Sequence, residues 1–339
     1  MEKLIRLNEK IYVAGANGMV GKAVIKSLIR FGYGLEKNDG VLLTPSRKDL
    51  NLLNYEEVKN WFMKNKPSIV IVAAAKVGGI FANNSNPTEF LLDNLKIQNN
   101  LIENAWKSGV KRLLFLGSSC IYPKFAKQPI SEESLLTNSL EESNQWYAIA
   151  KIAGIKLCEA LRKQHKFDAI SLMPTNLYGP GDNYHPENSH VMAALIRKFC
   201  FANYHSKNTL TCWGTGSPLR EFLHVDDLGD AIVFALENWN PDSSNAPQDN
   251  KGNPLLILNV GTGKDISIKK LANLIAKKVD YKGEILWDQE KPDGTPKKLL
   301  DIRIINQLGW KAEIELEKGI EMTLEDLNKD RKLKYKKLI

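Results

Sequence analysis

A glycine-rich turn between a short strand and a helix is the feature that most constrains the fold of this sequence. The apolar run Ile11–Ala14 leads directly into it. The turn reads Gly15-Ala16-Asn17-Gly18-Met19-Val20-Gly21. Glycines at this GxxGxxG spacing permit a tight turn and let the backbone approach an anion at the positive end of the following helix. A merely structural turn needs one glycine, so the motif predicts a Rossmann unit that binds a dinucleotide pyrophosphate.

Short β-branched runs then alternate with amphipathic helical stretches, the pattern of a parallel sheet. The predicted strands are Ile11–Ala14, Val41–Thr44, Ile69–Ala73, Arg112–Gly117 and Ala169–Met173. Two sets of apolar residues recur at the spacing of a helix face and predict helices between these strands. They are Val20, Ala23, Val24, Leu28 and Phe31, and Val58, Trp61 and Phe62. A continuous apolar run such as Ile69–Val72 indicates a strand with two buried faces. We therefore expect a doubly wound parallel α/β sheet with helices on both sides.

The local composition of the chain changes after Pro174, where Gly, Pro and Asn become frequent. Residues Asn176–Asn188 are predicted to form loops, and a helix is expected from about Val191. Trp213–Arg220 is predicted to be another loop. Asn240–Pro254 is polar, contains several turn-forming residues and is predicted to be a surface loop. A chain of 339 residues exceeds the usual size of one hydrophobic core, so we expect two packed domains.

The first predicted domain is a dinucleotide-binding Rossmann domain at residues 1–175, to which residues from about 222 to 262 return. The second is a smaller C-terminal α/β substrate domain at about 176–221 and 263–339.

Composition excludes several classes of protein. With 43% hydrophobic and 25% charged residues and no run of about 18 apolar residues, the chain is expected to be soluble. The segment Met1–Lys10 has no apolar signal region, so we expect a cytoplasmic protein. The four cysteines form no CxxC pair or Cys/His cluster, which predicts neither a disulfide framework nor a metal site.

The net charge of +8 is concentrated in the C-terminal tail. Six basic residues and one acid lie between Lys329 and Lys337, and Tyr335 is the one aromatic residue among them. We interpret this segment as a solvated tail and not as a nucleic-acid contact.

Residues at the end of the second predicted strand indicate which dinucleotide binds. An acid there would bind a ribose 2′-hydroxyl, whereas an arginine suits a 2′-phosphate. The segment reads Thr44-Pro45-Ser46-Arg47. Arg47 therefore favours NADP(H), while Asp49 is expected to cap the turn or contact the adenine region. Small residues at Ala73–Ala75 allow the cofactor close to the third strand.

Tyr147 and Lys151 are four residues apart in Asn144–His165, which has helical periodicity, so their side chains emerge on one face. A neighbouring ammonium is expected to lower the tyrosine pKa from about 10 and allow proton delivery to a carbonyl oxygen. Ser118 follows the fourth predicted strand and can hydrogen-bond the same oxygen.

The glycine motif with Ser118, Tyr147 and Lys151 resembles the extended short-chain dehydrogenase/reductase family. Longer stretches carry the resemblance further: Ala73–Ile80, Leu116–Lys124, Tyr147–Gly154, Pro174–Pro180 and Lys291–Pro296. They are similar to the members of this family that epimerise and reduce GDP-4-keto-6-deoxy-D-mannose. The similarity covers nearly the whole chain, apart from the first residues, the 240–254 loop and the basic tail.

The resemblance implies a chemistry for further residues. Cys120 matches the family's base and His190 its acid, which would invert C3 and C5 beside the C4 ketone before NADPH reduces C4. The resemblance also implies a homodimer around the helix that carries Tyr147. The implied cofactor contacts are Gly15–Gly21, Arg47, Ala74, Leu116, Gly117, Ser118, Lys151, Pro174, Thr175, Asn176, Leu177 and His190. The implied GDP-sugar contacts are Lys198, Trp213, Arg220, Asp293 and Lys298.

Two positions depart from the family pattern. Asn17 stands where many bacterial members have an arginine for the 2′-phosphate, and Lys198 replaces a frequent arginine.

Three alternative functions stay open. A GDP-L-colitose synthase would use a 3,6-dideoxy ketone and invert C5 alone. A 4,6-dehydratase would need an Asp-Glu pair where Ser119-Cys120 stands, and a catalytically silent dinucleotide sensor would not need Tyr147 and Lys151.

Overall fold

Six parallel strands form the central sheet of the computed structural model, which describes residues 3–291 and 293–329. Their spatial order is β2-β1-β3-β4-β5-β9. The strands are β1 (Lys10–Ala14), β2 (Val41–Leu43), β3 (Ile69–Val72), β4 (Arg112–Leu116), β5 (Ala169–Pro174) and β9 (Ile257–Val260). The five predicted strands are confirmed to within one residue at each end. Because the chain leaves β1 toward β2 and then returns to β3 on its other side, a crevice opens at the carboxyl ends of β1 and β3.

Ten helices are present among the described residues. They are α1 (Met19–Arg30), α2 (Tyr55–Asn65), α3 (Ile80–Ser85), α4 (Pro87–Lys107), α5 (Gln145–His165), α6 (Val191–Tyr204), α7 (Val225–Asn238), α8 (Ile268–Lys278), α9 (Arg303–Leu308) and α10 (Leu316–Lys329). Local signals explain where several begin. The Asn54 side chain accepts a hydrogen bond from the Glu57 amide at 3.2 Å and caps α2. The helices predicted from Asn144 and Val191 are confirmed as α5 and α6.

Helices cover both faces of the sheet, as predicted. Val24 and Leu28 of α1 pack with Leu228 and Ile232 of α7 in one hydrophobic core. A second hydrophobic core lies on the opposite face of the sheet and contains buried residues of α2, α4 and α5. All four residues of β3 are buried, which is the burial expected of a strand between two helical layers.

Six further strands lie outside the central sheet. They are β6 (Asn176–Tyr178), β7 (Thr209–Trp213), β8 (Leu219–His224), β10 (Asp265–Ser267), β11 (Glu284–Asp288) and β12 (Lys297–Lys298). β8 pairs with β6, β10 and β12, and β7 pairs with β11. A third hydrophobic core, which includes α6 and α8, packs around them.

Two loop predictions need correction in this region. The predicted loop Asn176–Asn188 begins with β6, and the predicted loop Trp213–Arg220 ends inside β8. Arg220 pairs with Ile266 on one side and with Lys298 on the other. These partners are distant in sequence, so the local composition that suggested loops carries no information about them. Residues 240–254 do form turns, with one isolated bridge between Gln248 and Pro254.

Glu221 of β8 connects three parts of the chain: its own strand, the segment after β9 of the central sheet and the segment after β12. Its buried carboxylate accepts hydrogen bonds from the backbone amides of Thr262 (2.6 Å), Gly263 (2.7 Å) and Leu300 (3.0 Å). Burial raises the pKa of Glu221, although these amides act in the opposite direction. The network holds the neighbouring Arg220 at a fixed place on β8.

No helix among residues 3–291 and 293–329 is long and apolar enough to cross a membrane. Within the same ranges, no group of three or more His, Cys, Asp or Glu residues is arranged to hold a metal ion. None of the four cysteines, which all lie among the described residues, is part of a disulfide. The basic tail beyond Lys329 and residue Pro292 lie outside the described residues.

Candidate active site

The glycine turn after β1 has no room for side chains. Gly15 has φ +87°, and a Cβ there would lie 2.8 Å from the Ala74 amide nitrogen at the end of β3. A Cβ on Gly21 would lie 2.1 Å from the Gly15 carbonyl oxygen. The Gly18 amide closes the turn on that same oxygen at 3.0 Å. The glycines therefore let the first turn of α1 pack directly against β1 and β3.

The start of α1 fits an anionic group. Gly18 occupies the N-cap position without a capping side chain, and the first turn contains no acidic residue. The backbone amides and the helix dipole therefore keep their capacity to bind a phosphate. Ala16 is buried beneath the turn, Asn17 is exposed above it, and Met19 and Val20 begin the helix.

Arg47 follows β2 as an exposed side chain. The turn beneath it is held by Asp49, whose carboxylate accepts hydrogen bonds from the Ser46 amide (2.9 Å) and hydroxyl (2.6 Å). The capping role suggested for Asp49 is thus confirmed. Arg47 makes no hydrogen bond or ion pair with another residue that the structure describes. Its guanidinium remains available for an anion beside β1.

Ser118, Tyr147 and Lys151 come together at the carboxyl end of β4. Lys151 is buried on α5, and its ammonium donates to the Leu116 carbonyl at 2.7 Å and lies 5.8 Å from the Tyr147 ring centroid. The hydroxyl of Ser118 is hydrogen-bonded to the Tyr147 side chain. The four-residue spacing therefore builds the predicted acid–base group.

The prediction that Lys151 lowers the pKa of Tyr147 is wrong for the protein alone. Burial raises the pKa of Tyr147, the negative charge of Cys120 acts in the same direction, and the hydrogen bond from Ser118 opposes them only in part. Burial also lowers the pKa of Lys151 to about 7, so the ammonium is a weak source of positive charge at neutral pH. Tyr147 is consequently a neutral phenol that can donate a proton.

Cys120 lies on a single 3₁₀ turn, Ser119–Ile121, directly after Ser118. The Ser118 hydroxyl oxygen accepts from the Cys120 amide at 3.2 Å and holds this turn. The Cys120 sulfur in turn accepts from the Asn144 amide nitrogen at 3.4 Å and from the Lys298 ammonium at 3.6 Å. A small pocket opens over the sulfur and is also lined by Glu141. The thiol therefore faces a cavity with two hydrogen-bond donors beside it.

His190 stands immediately before α6 and makes no capping hydrogen bond. The ring keeps solvent access, but protein packed around it and the positive charge of Lys298 lower its pKa. The loop before it is tied to the segment after β3, since the Gly79 amide donates to the Asn188 carbonyl at 3.2 Å. Lys298 therefore lies close to both Cys120 and His190.

Further charges surround the pocket. The Arg220 guanidinium donates to the Leu219 carbonyl at 2.8 Å. Burial lowers the pKa of Arg220, while the nearby negative groups of Cys120, Asp293 and Glu141 act to raise it. Asp293 accepts from the Thr215 amide (2.8 Å) and hydroxyl (2.7 Å), so it anchors the loop that follows β7.

Trp213 presents an exposed ring at the end of β7, with 61% of its surface accessible. The ammonium groups of Lys198 and Lys291 lie 5.5 and 5.9 Å from the ring centroid. Lys198 also donates to the Thr211 carbonyl at 3.1 Å, and burial lowers its pKa. The ring and its two cations suit a flat, negatively charged ligand.

The remaining predicted cofactor contacts lie where β4 and β5 end. A Cβ on Gly117 would lie 2.3 Å from the Met173 sulfur, which brings the two strand ends close together. The side chains of Thr175 and Asn176 donate to the Glu221 carbonyl at 3.3 and 2.8 Å. Leu177 continues into β6.

The sequence analysis missed several residues that line this pocket, among them Asn144, Glu141 and Lys124. Glu141 accepts from Lys124 at 3.1 Å and from the Thr295 hydroxyl at 3.3 Å. Asn144 was regarded merely as the start of a helix. Its position three residues before Tyr147, near one end of the predicted helix, is the signal that could have placed it in the site.

The sequences of known proteins agree with this geometry. Residues 11–248 match the NAD dependent epimerase/dehydratase family. GDP-L-fucose synthase 1 of Arabidopsis thaliana is 50% identical over 93% of this chain and 91% of its own length. GDP-L-fucose synthase of Escherichia coli K12 is 48% identical over 93% and 95%. GDP-L-colitose synthase of Yersinia pseudotuberculosis is 37% identical over 93% and 96%.

Solved structures share the fold across nearly the whole chain. A GDP-6-OMe-4-keto-L-xylo-heptose reductase from C. jejuni superposes with a TM-score of 0.86 at 33% identity, covering 96% of this chain and 99% of its own. A GDP-L-fucose synthetase from Naegleria fowleri bound to NADP has a TM-score of 0.83 at 26% identity, covering 98% of both chains. The sheet, the glycine turn and the Ser-Tyr-Lys group together show that this chain belongs to the NAD dependent epimerase/dehydratase family.

Proposed function

We propose that this chain converts GDP-4-keto-6-deoxy-D-mannose to GDP-L-fucose by epimerisation at C3 and C5 and NADPH-dependent reduction at C4. One observation carries the proposal: Cys120 stands beside Ser118 and Tyr147, since its amide donates to the Ser118 hydroxyl at 3.2 Å and its charge acts on the pKa of Tyr147. A simple ketone reductase needs no second acid–base residue there. Relatives at 48–50% identity that are named GDP-L-fucose synthases support it.

Epimerisation depends on the acidity of carbons beside a ketone. Cys120 removes the proton from C3 or C5, the C–H electron pair moves toward the C4 carbonyl, and an enolate forms with its oxygen held by Ser118 and Tyr147. His190 returns a proton to the opposite face of the same carbon. The sequence repeats at the second carbon, so one pair of residues inverts both centres.

Reduction requires a hydride and a proton at C4. NADPH, when bound, supplies the hydride. Tyr147 holds the proton for the carbonyl oxygen, because its raised pKa keeps the phenol neutral until negative charge develops on that oxygen. Ser118 orients the oxygen, and Lys151 is fixed behind Tyr147 by the Leu116 carbonyl.

NADPH is the cofactor that the residues around β1 and β2 fit. The amides at the start of α1 would hold the pyrophosphate and Arg47 the 2′-phosphate. Ala74 and Gly117 line the approach with small groups. Asn17 contributes no charge, so Arg47 is the main selector for the phosphate.

The GDP portion is assigned to the second group of strands. Trp213 offers a surface for the guanine base, and Lys198, Arg220 and Lys298 are the candidate cations for the pyrophosphate. Asp293 fixes the loop beside them. The separate hydrophobic core around α6 and α8 supports a substrate domain at about 176–221 and from 263 onward, with residues 1–175 and about 222–262 as the NADP(H)-binding domain.

A homodimer is proposed through α4 and α5. The two helices pack side by side, and Trp106, Leu157 and Leu161 line a largely apolar groove between them. Burial of this groove against a second copy would remove apolar surface from water. A Leu157→Arg variant that stays dimeric in light scattering would contradict this assembly.

GDP-L-colitose synthesis is the nearest alternative, although the relative with that name is less similar, at 37% identity. Incubation with GDP-4-keto-6-deoxy-D-mannose and NADPH in deuterated water separates the possibilities by NMR. Deuterium at both C3 and C5 of GDP-L-fucose is the expected result. A reduced product without label at C3 would reject the proposed epimerisation.

A further inference from the structure

The side-chain amide of Asn144 has one end bound and the other unpaired. Its nitrogen donates to the Cys120 sulfur at 3.4 Å, whereas its carbonyl oxygen is buried and has no hydrogen-bond partner among the described residues. Asn144 stands at the N-cap of α5, but its side chain makes no capping hydrogen bond. A buried acceptor without a partner costs free energy unless a ligand satisfies it. Asn144 also lines the pocket over the Cys120 sulfur, so its unpaired oxygen lies near the place of a substrate bound against that sulfur.

The sulfur determines which way the amide points. Lys298 donates to the same sulfur at 3.6 Å, so the sulfur acts as an acceptor from two sides. The amino group of Asn144 is the end of the amide that donates to this acceptor sulfur. The carbonyl oxygen is the other end of the amide and is left to accept from a ligand.

The chemistry of the sugar limits what that donor can be. For Cys120 to act as the base, C3 or C5 of the hexose has to lie against its sulfur. C5 carries a methyl group and the ring oxygen, neither of which can donate a hydrogen bond. C3 carries a hydroxyl group. The C3 hydroxyl is therefore the one donor on these two carbons that can satisfy Asn144.

We infer that Asn144 is a specificity-determining residue that accepts a hydrogen bond from the substrate's C3 hydroxyl and so selects 3-hydroxy over 3-deoxy ketones. The inference rests on the proposed function. A site built to bind a hydroxyl rejects an analogue without it, because the buried polar atom is then left unpaired. This preference would separate GDP-L-fucose synthesis from GDP-L-colitose synthesis within one architecture.

The experiment compares kcat/KM for GDP-4-keto-6-deoxy-D-mannose and its 3-deoxy analogue, each with NADPH. We expect the wild-type enzyme to prefer the hydroxylated ketone by about ten-fold or more. Asn144→Ala removes the acceptor and should abolish most of this preference. Asn144→Asp keeps an acceptor oxygen but places negative charge beside the sulfur, so rates should fall on both ketones while the preference remains.

Asn138→Ala is the matched control, because this exposed amide lies outside the pocket and its carbonyl oxygen accepts from the Ser139 amide at 2.7 Å. Its substrate ratio should equal that of the wild type. Equal losses on both ketones in Asn144→Ala, or the same loss of preference in Asn144→Asp, would overturn the inference. Thermal unfolding and NADPH fluorescence show whether each variant is folded. A wild-type enzyme that makes no GDP-L-fucose would reject the proposed function itself, which is a different outcome.

Discussion

The ammonium nitrogen of Lys298 lies 3.6 Å from the sulfur of Cys120, although 178 positions separate the two residues. Pairing of β12 with β8 creates this contact and also places Lys298 opposite Arg220 in the sheet. Lys298 thus presents a charged hydrogen-bond donor to the sulfur that is proposed as the base. Burial and, to a smaller extent, the charge of Lys298 lower the pKa of His190, which makes its imidazolium a stronger acid.

The first prediction concerns this contact. Lys298→Met should reduce deuterium exchange at C3 and C5 by about ten-fold or more, because the sulfur that removes the proton loses its charged hydrogen-bond donor. Iodoacetamide should alkylate Cys120 more slowly in the variant, and mass spectrometry can assign the modification to that residue. This second measurement does not depend on the substrate.

Lys297→Met provides the matched control for charge. Lys297 is the other residue of β12, and its ammonium pairs with Asp265 at 3.0 Å. Its removal changes the net charge equally without touching the sulfur. If both variants slow the alkylation of Cys120 to the same extent, the change in net charge is the cause, and the specific role assigned to Lys298 is wrong.

The second prediction separates the two half-reactions. Cys120→Ser should lower exchange at C3 and C5 by about 100-fold or more while some direct C4 reduction persists, because Ser118, Tyr147 and Lys151 remain in place. Tyr147→Phe should chiefly slow NADPH oxidation, by a similar factor, and retain part of the exchange, because Ser118 still holds the enolate oxygen. NMR of the sugar and absorbance of NADPH measure the two steps independently. Parallel losses of both steps in both variants would contradict the division of labour.

Much of this site could be predicted because its signals are local. Three glycines in seven residues define the turn after β1, and a spacing of four on a helix places Tyr147 beside Lys151. Continuous apolar runs likewise marked the central strands. In each case the contacting residues are neighbours in sequence or lie at the end of a predictable element.

The contacts around Cys120 could not be predicted in the same way. Lys298 reaches the sulfur because a two-residue strand pairs with β8, and nothing in the composition of that strand indicates its partner. The pKa of Tyr147 was predicted with the wrong sign because the sequence shows that a lysine is near but not how deeply both groups are buried. Desolvation decides the direction, and burial is a property of the folded chain.

The third prediction tests cofactor selection. Arg47→Ala should raise the KM for NADPH by about ten-fold and leave the KM for NADH nearly unchanged, because the exposed guanidinium would pair with the 2′-phosphate. Lys48→Ala, at the adjacent exposed cation, is the control for net charge. Steady-state kinetics with both cofactors provide the measurement. Equal changes for NADPH and NADH in Arg47→Ala would show that another residue selects the phosphate.

The fourth prediction concerns stability against pH and depends on Glu132. Its side chain is buried, and one carboxylate oxygen accepts from the Asn259 amide at 2.9 Å. Burial raises the pKa of Glu132 to about 7 from 4.5. The folded protein therefore holds a proton on Glu132 that the unfolded chain releases between about pH 4.5 and 7.

The sign follows from this difference in proton binding. The stabilisation from protonated Glu132 is fully present below pH 4.5 and is lost as the pH rises through 7, a loss of about 3 kcal/mol at most. Glu132→Gln cannot titrate, so its free energy of unfolding should decline less than that of the wild type between pH 5 and 8. Urea unfolding at several pH values measures the difference. Glu133→Gln, at an exposed neighbour, should follow the wild-type curve, and a Glu132→Gln curve that also follows it would contradict the prediction.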